Sequence, residues 1–494
     1  MAKRLLTFII FMCVALCAAA VPAYYRAGAF GVVSDNYEIA DYAGEAGFSV
    51  YVGADGCLYT AGSNGSGELG RGLDNSVVKA EPLTVKVLTD VIAVDTGKTG
   101  FVIATTKDGT LYAWGSNEFG QAGGDVTAIS TGNKVTSPQK VDMPDGAAAI
   151  SDVQAGARHS LVLTDDGKIY AFGSNNLGQL GLGLEADRRT LTSRPTLIDP
   201  SALGGGAIAQ IACCEYTSFA LTGSGEVYAW GDGMDGLLLN DEEYSTVPVR
   251  LPLTGVTKIS AQSTTVMALT ADGRVLVWGN NGFGQYGIPD LDENGQAPYE
   301  ISSFYTETGE PVDITVKDII CGGVSSFVLS ADGDVYGFGK AGAGELGFNP
   351  RTATSPFVVS QNTATAPTRL TFYTPLSVED GQTAPVDMAT PVSVNIDKFA
   401  GSAGVRTFAL DDEGQMWAWG DNANGMVCSG SIDSVYTPVR ATLYRTDNYD
   451  KEIKEKDYTR QPIIGLSIIG AFAVLFIVWT EIKRASVRRL EKNA

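Results

Sequence analysis

Short runs in which apolar residues alternate with small or polar ones recur along the chain, most of them ending on an aromatic residue and a glycine. "LYTAG" closes at Gly62, "LYAWG" at Gly115, "IYAFG" at Gly173 and "VYAWG" at Gly231. "VLVWG", "VYGFG" and "MWAWG" follow, closing at Gly279, Gly339 and Gly420. A period of two predicts strands. Ahead of the runs stand Asp55-Gly56, Asp108-Gly109, Asp166-Gly167, Asp272-Gly273 and Asp332-Gly333, with Ser224-Gly225 and Glu413-Gly414 in two divergent copies. Such pairs predict hairpins with tight type I′ turns. A partner strand is expected before each turn, as in His159–Thr164 or Ser218–Thr222.

The closing glycines lie 53, 58, 58, 48, 60 and 81 residues apart, so the chain holds seven copies of one unit. Five residues after each comes another glycine: Gly67, Gly120, Gly178, Gly236, Gly284, Gly344 and Gly425. Five copies continue as Gly-Gln/Glu-x-Gly, whereas "GLLL" and "GMVC" have lost the pattern. In "GSNGSGELG", Gly65, Gly67 and Gly70 spell Gly-x-Gly-x-x-Gly. A dinucleotide loop would open a helix inside a βαβ unit. Here a polar loop, a proline and another strand-like run follow, so these glycines belong to a turn that needs positive φ or close packing.

A hairpin-based unit that cannot bury its apolar face alone must stack on its neighbours. Seven such units predict an all-β, seven-bladed β-propeller with about four strands per blade. Trp114, Phe172, Trp230, Trp278, Phe338 and Trp419 share one slot and should pack between blades, each contributing roughly 1.5–3 kcal/mol on burial.

The two ends differ from the repeats. Lys3 and Arg4 precede the apolar Leu5–Ala20, with small residues at Val21-Pro22-Ala23, the pattern of a secretory signal peptide over residues 1–23. Ile463–Thr480 is 18 residues without a charge, flanked by Trp479 and by Lys483, Arg484, Arg488, Arg489 and Lys492. This predicts one C-terminal transmembrane helix at 463–480 with a basic cytoplasmic tail at 481–494. The propeller is expected over 24–445 and a charged juxtamembrane stalk over 446–462. The expected location is the plasma membrane, single-pass, with the propeller extracytoplasmic. Of 35 Lys and Arg, seven sit in the basic ends, leaving 28 against 54 Asp and Glu over residues 5–480, a net charge of −26. Such a surface repels phosphate backbones and excludes nucleic acid as a partner.

Repeat three, "GARHSLVLTDDGKIYAFGSNNLGQLGLG" (Gly156–Gly183), resembles the unit of the regulator of chromosome condensation family, with its Gly-x-x-His-Ser/Thr start and "WG-x-N-x-x-GQLG" end. The resemblance spans roughly residues 35–445 and implies a seven-bladed propeller of four-stranded blades. Members of that family include a chromatin-bound nucleotide exchange factor, an ultraviolet photoreceptor and a secreted β-lactamase inhibitor. Intracellular guanine-nucleotide exchange fits an extracytoplasmic propeller poorly. Light sensing depends on tryptophans beside the repeat-start glycine, where repeat three has Ala157.

Candidate chemistry is sparse. His159 is the one histidine and reads as a hydrogen-bonded structural residue; no catalytic or cofactor-binding residue is expected. Cys57, Cys213, Cys214, Cys321 and Cys428 read as small buried side chains, with pairing open. Asp290, Asp292 and Asn294 in "DLDENG" place oxygens as in the first half of a calcium loop, but Ile301 stands where a bidentate Glu belongs. Calcium is the one cofactor this leaves open. Asn64-Gly65-Ser66 fits a glycosylation acceptor. The long segments Pro289–Lys317 and Ser360–Lys398 are the expected binding loops. The expected function is a non-enzymatic protein-binding propeller, for recognition, adhesion or inhibition, facing a surface or secreted protein or a cell-envelope polymer. The alternative is a surface glycan-active or calcium-dependent binding protein.

Overall fold

The computed structural model describes residues 39–45, 47–53, 55–72, 81–126, 128–183, 191–291, 297–348, 356–359, 363–373, 391–403, 405–422, 426–427 and 435–441. The expected signal, stalk, transmembrane segment and tail lie outside them. Among the described residues no helix is long and apolar enough to cross a membrane.

Seven antiparallel blades account for the repeats. Blade 3 is typical: Ile150–Ala155, His159–Thr164, Ile169–Ser174 and Leu191–Leu197 pair in sequence order. The first strands of the seven blades (Ile39–Glu45, Val91–Gly97, Ile150–Ala155, Ile208–Cys213, Val256–Gln262, Val316–Cys321 and Ile396–Ala403) touch one another in a closed ring. They are therefore the innermost strands, and the fourth strands form the rim. Six rim strands carry a proline: Pro82, Pro138, Pro195, Pro248, Pro367 and Pro438. A proline offers no N–H to an incoming strand, so the exposed edges resist pairing with other chains.

The third-strand aromatics are buried completely, as the repeat predicts. Five of the seven joints between blades rest on the carbonyl of the residue after the second glycine; at the other two, Ser326 Oγ of blade 6 and Trp419 Nε1 of blade 7 make no such bond among the described residues. Trp114 Nε1 donates to Glu68 O at 2.9 Å, Trp230 Nε1 to Gln179 O at 3.0 Å and Trp278 Nε1 to Leu237 O at 3.2 Å. Where blade 3 has Phe172, the Ser160 hydroxyl donates instead, to Gln121 O at 2.9 Å. The acceptor is backbone, so "GLLL" keeps its joint without the Gln. The last glycine of the turn lets the indole approach: a Cβ on Gly181 would stand 2.7 Å from Trp230 Nε1, and on Gly70 equally close to Trp114 Nε1. Both glycines also have φ of +67°.

The turn itself is strutted by its own side chains. Asn64, Asn117, Asn175, Asn281 and Asn422 each accept, through Oδ1, from the backbone N–H five residues on. Gln121, Gln179 and Gln285 each accept through Oε1 from the N–H two residues back. Among the described residues these turns form no phosphate loop. Asn64 is buried in this role, which removes it as a glycosylation acceptor in the folded chain.

The Asp-Gly hairpins depart from the type I′ expectation. Asp108 and its counterparts keep negative φ, and only the glycine is left-handed, at +78° for Gly109. Gly109 N donates to Thr106 O while Thr106 N donates to Thr110 O, a longer turn with one glycine bulge. The Asp side chain explains the choice: Asp108 Oδ1 accepts from Thr106 Oγ1 at 2.6 Å and from Thr110 N at 3.1 Å.

The two long segments are largely built into blades. Pro289–Lys317 contains the rim strand of blade 5, Tyr299–Ile301, and the hairpin Phe304–Tyr305/Pro311–Val312, which extends the sheet of blade 6. Ser360–Lys398 contains the rim strand of blade 6, Thr363–Arg369, and the hairpin Phe372–Tyr373/Pro391–Val392. Residues 374–390 lie outside the described residues.

Blades 1 and 7 each use four consecutive strands, so side chains close the ring. Blade 1 has Ala61 in the aromatic slot. Tyr51, on the neighbouring strand, reaches the carbonyl of Met426 in its place. The buried Arg406 donates to Glu45 O at 2.8 Å and to Asp421 O at 3.0 Å. Tyr42 packs on Phe408 with ring centroids 3.9 Å apart.

Gly181→Ala should cost about 2–4 kcal/mol, from positive φ and collision with Trp230, whereas Gly124→Ala, with open space around it, should cost about 1 kcal/mol. Tyr51→Phe should cost about 1–2 kcal/mol by stranding the Met426 carbonyl. Denaturant midpoints at constant slope measure all three.

Candidate functional site

The innermost strand of a blade has one edge with no partner strand, and its backbone groups must be satisfied by other means. Side chains of adjacent blades do this. Gln210 Nε2 donates to Ile259 O at 2.8 Å while Gln210 Oε1 accepts from Ile259 N at 3.0 Å. Asp95 Oδ2 accepts from Ala155 N at 2.7 Å, and Ser260 Oγ from Cys321 N at 2.9 Å. Lys258 pairs with Asp318 between blades 5 and 6.

Between these strands lies a cavity of about 480 Å³ whose wall includes Glu45, Asp95, Asp152 and Glu215. Burial, with Asp95 adding to it, raises the Glu45 carboxyl from 4.5 to about 8; Lys98 opposes, Glu215 adds further and Arg406 opposes. Burial likewise raises Asp152 to about 6, against hydrogen bonds from Val153 and Gln154. At the mouth, loops of successive blades form a belt. Thr99 Oγ1 donates to Ala157 O at 2.7 Å, Ala157 N to Glu215 O at 2.7 Å and Glu215 N to Ser263 O at 2.9 Å. Lys98 crosses the belt to pair with Glu215.

The same end of the ring carries the turns that follow the third strands, because His159, which opens a second strand, pairs with Gly173, which closes a third. In blades 2 to 5 these turns place Phe119, Leu177, Met234 and Phe283 at the mouth end of the ring. Met234 is 65% exposed and Phe283 41%. Arg158 lies over Phe119, 4.5 Å from its centroid, and Lys340 over Phe283 at 5.6 Å. Apolar groups crowned by cations and set in polar turns suit contact with another macromolecule.

The residues singled out in the sequence fall elsewhere. His159 is fully buried and sits at the joint of blades 3 and 4. The Ser218 hydroxyl donates to Gln179 O, so His159 Nε2 carries the proton that it donates to Ser218 Oγ at 2.9 Å. Burial lowers the imidazole to about 3, which keeps it neutral. It is structural, as the sequence suggests. Cys57, Cys213, Cys214 and Cys321 are buried free thiols; Cys213 and Cys321 end innermost strands, in the slot of Ala155. Burial pushes Cys321 up to about 12 and holds the others of the cavity wall, Cys213 and Cys214, well above the usual thiol range. Cys428 lies outside the described residues. So do Asp292 and Asn294; Asp290 is exposed with φ of +62°. Among the described residues no group of His, Cys, Asp and Glu is placed to hold a metal ion. The cavity carboxyls and the apolar turns were not singled out. In the sequence Phe119, Leu177 and Phe283 directly precede the second glycine and Met234 stands two residues before it, whereas the carboxyls come from four separate repeats.

The RCC1-like domain model matches residues 32–374. The chain is 28% identical over 344 residues to protein pim1 of Schizosaccharomyces pombe, covering 64% of this chain and 61% of that protein. It is 30% identical over 296 residues to the ultraviolet-B receptor UVR8 of Arabidopsis thaliana, covering 59% and 62%. The chain thus spans about three fifths of the length of these relatives. Among solved structures, Prp20p of Saccharomyces cerevisiae superposes with a TM-score of 0.62 at 20% identity, over 81% of this chain and 88% of that one. Human WBSCR16 superposes with a TM-score of 0.61 at 22% identity, over 78% and 95%. These two show the shared fold.

In the folded chain Glu45 keeps a proton that the unfolded chain sheds above about pH 4.5. Stability should therefore fall as pH rises from there toward 8, by at most about 1.4 kcal/mol per pH unit. Glu45→Gln should be more stable than the wild type at pH 8, with the gap closing toward pH 4.5, in urea denaturation across that range. Equal stability at pH 8 would contradict this account of the cavity.

Proposed function

Because the chain belongs to the RCC1-like domain family, we propose that it is a non-enzymatic protein-recognition module. The observation that carries this reading is the row of turns bearing the exposed Met234 and Phe283 and the half-buried Phe119 and Leu177 at the mouth end of a rigid ring. Relatives with this fold act in protein binding or regulation, and Prp20p is described by its binding to Gsp1p and histones. The apolar end segments and the acidic balance support display outside the membrane, facing a surface or secreted protein. A contact centred on two large exposed side chains concentrates its energy there.

Four carboxyls do share one cavity, the observation that favours a surface carboxylate enzyme as a second reading. Such an enzyme needs a pair of carboxyls flanking the substrate bond. The belt and the Lys98–Glu215 pair lie across the approach, which favours recognition over turnover of a polymer.

Met234→Asp with Phe283→Asp should weaken capture of a protein partner from envelope or surface extracts by about tenfold or more, with an unchanged melting temperature. Unchanged capture would move the binding surface away from this end, and turnover of a glycan panel by the wild type would establish the enzymatic reading.

A further inference from the structure

Repeat four departs from the others at the mouth end of the ring. Gly233 and Leu237 stand where repeat three has Asn175 and Gln179, so the side-chain struts of its turn are gone. Backbone of the loop that follows holds this turn instead. Gly233 N donates to Glu243 O at 2.8 Å, and a Cβ on Gly233 would collide with the Glu242 carbonyl. The loop 241–243 is thereby fixed against the turn that carries Met234. Tyr244, 43% exposed, opens the rim strand directly after this loop and pairs with Asp232 of the same turn.

The neighbouring turns continue the surface on both sides. Asn280 Nδ2, from the turn of Phe283, donates to Asp235 Oδ2 at 3.1 Å. The turn of Leu177 packs on the rim strand of blade 4, where a Cβ on Gly178 would collide with Ser245 O. Met234 and Tyr244 thus stand between Leu177 and Phe283, bordered by acids. Asp241, Glu242 and Glu243 are exposed and, among the described residues, have no ion pair. Arg250, at the far end of the same rim strand, is engaged by Glu226. Negative charge held beside exposed apolar side chains repels anionic lipid and nucleic acid. It favours a partner that brings cations and apolar area together.

We propose that Met234 and Tyr244, with Asp241, Glu242 and Glu243, dock a basic segment of a protein partner, one in which Lys or Arg flank an aromatic or large aliphatic residue. The apolar residue covers Met234 and Tyr244, and the flanking cations pair with the three carboxylates. The cations speed encounter and select the partner, while the apolar contact holds it. A second copy of the chain is a poor occupant, because residues 5–480 carry a net charge of −26. The proposal names the partner class of the protein-recognition surface and rests on that reading.

The test is panning of a random dodecapeptide phage library on the immobilised full chain, followed by fluorescence anisotropy of the enriched peptides. Enrichment of peptides with Lys or Arg beside an aromatic or aliphatic residue is the expected result. Their binding should weaken about tenfold or more in the triple variant Asp241→Asn, Glu242→Gln, Glu243→Gln, and likewise in Met234→Ser. It should hold in the control Glu310→Gln with Asp313→Asn, which removes exposed acids beside the hairpin of blade 6. Raising salt from about 0.01 M to 0.1 M shortens the Debye length from about 30 Å to 10 Å, so it should weaken binding by the wild type more than by the triple variant. All the altered side chains are exposed, so melting temperatures should match. Enriched peptides without basic residues that still depend on Met234 and Phe283 would overturn the basic-segment assignment and leave the recognition surface standing. Basic peptides bound equally well by the triple variant, or no enrichment, would also overturn it. Peptides indifferent to Met234, Phe283 and the acids alike would overturn both readings.

Discussion

At five of the seven joints one backbone carbonyl of the turn holds a blade to the next. It belongs to the residue after the second glycine of the repeat, and the following blade sends an indole N–H or a hydroxyl to meet it. Everything else in the repeat serves that contact. The Asn and Gln struts set the carbonyl's direction, the last glycine clears space for the ring, and the aromatic side chain fills the seam. A buried carbonyl left without its donor costs about 1–3 kcal/mol, which favours replacing a lost partner. Ring closure shows such a replacement: Tyr51 takes the part of the tryptophan that blade 1 lacks.

The centre of the ring follows from the same need to satisfy backbone. Innermost strands expose an edge, and polar side chains from neighbouring blades reach across to it. That requirement draws carboxyls and amides into the interior of a strongly acidic protein. Most are consumed by the stitching between blades. Among the described residues the Glu45 carboxyl takes no part in it.

Much of the fold was legible in the sequence because the repeat shows seven versions of one contact. Trp114, Trp230 and Trp278 recur in a slot, and their burial followed directly. Tyr51 was not legible as their substitute, since it lies on a different strand and meets the carbonyl only in three dimensions. The Asp-Gly pairs marked the hairpins but not their turn type, because the Asp side chain's bonds to Thr106 and Thr110 select the longer turn. The wall of Glu45, Asp95, Asp152 and Glu215 was hidden for another reason. Each sits in an ordinary strand or loop of its own repeat, and only closure of the ring brings them together. The Asn64 motif coincides with the repeat's turn, and its side chain is spent there on the Leu69 amide.

A ring held this firmly leaves recognition to the turns that project from it, and the two ends of the propeller differ in what they project. One bears the apolar turns and the cavity mouth; the other bears the Asp-Gly hairpins, whose polar side chains bond within their own turns. The most direct measurement is site-specific photo-crosslinking in intact cells, with the reactive group placed at Met234 or, at the opposite end, at Asp272. Recognition through the mouth end predicts a discrete protein adduct from position 234 and none from position 272. An adduct from position 272 alone, or from neither, would contradict it.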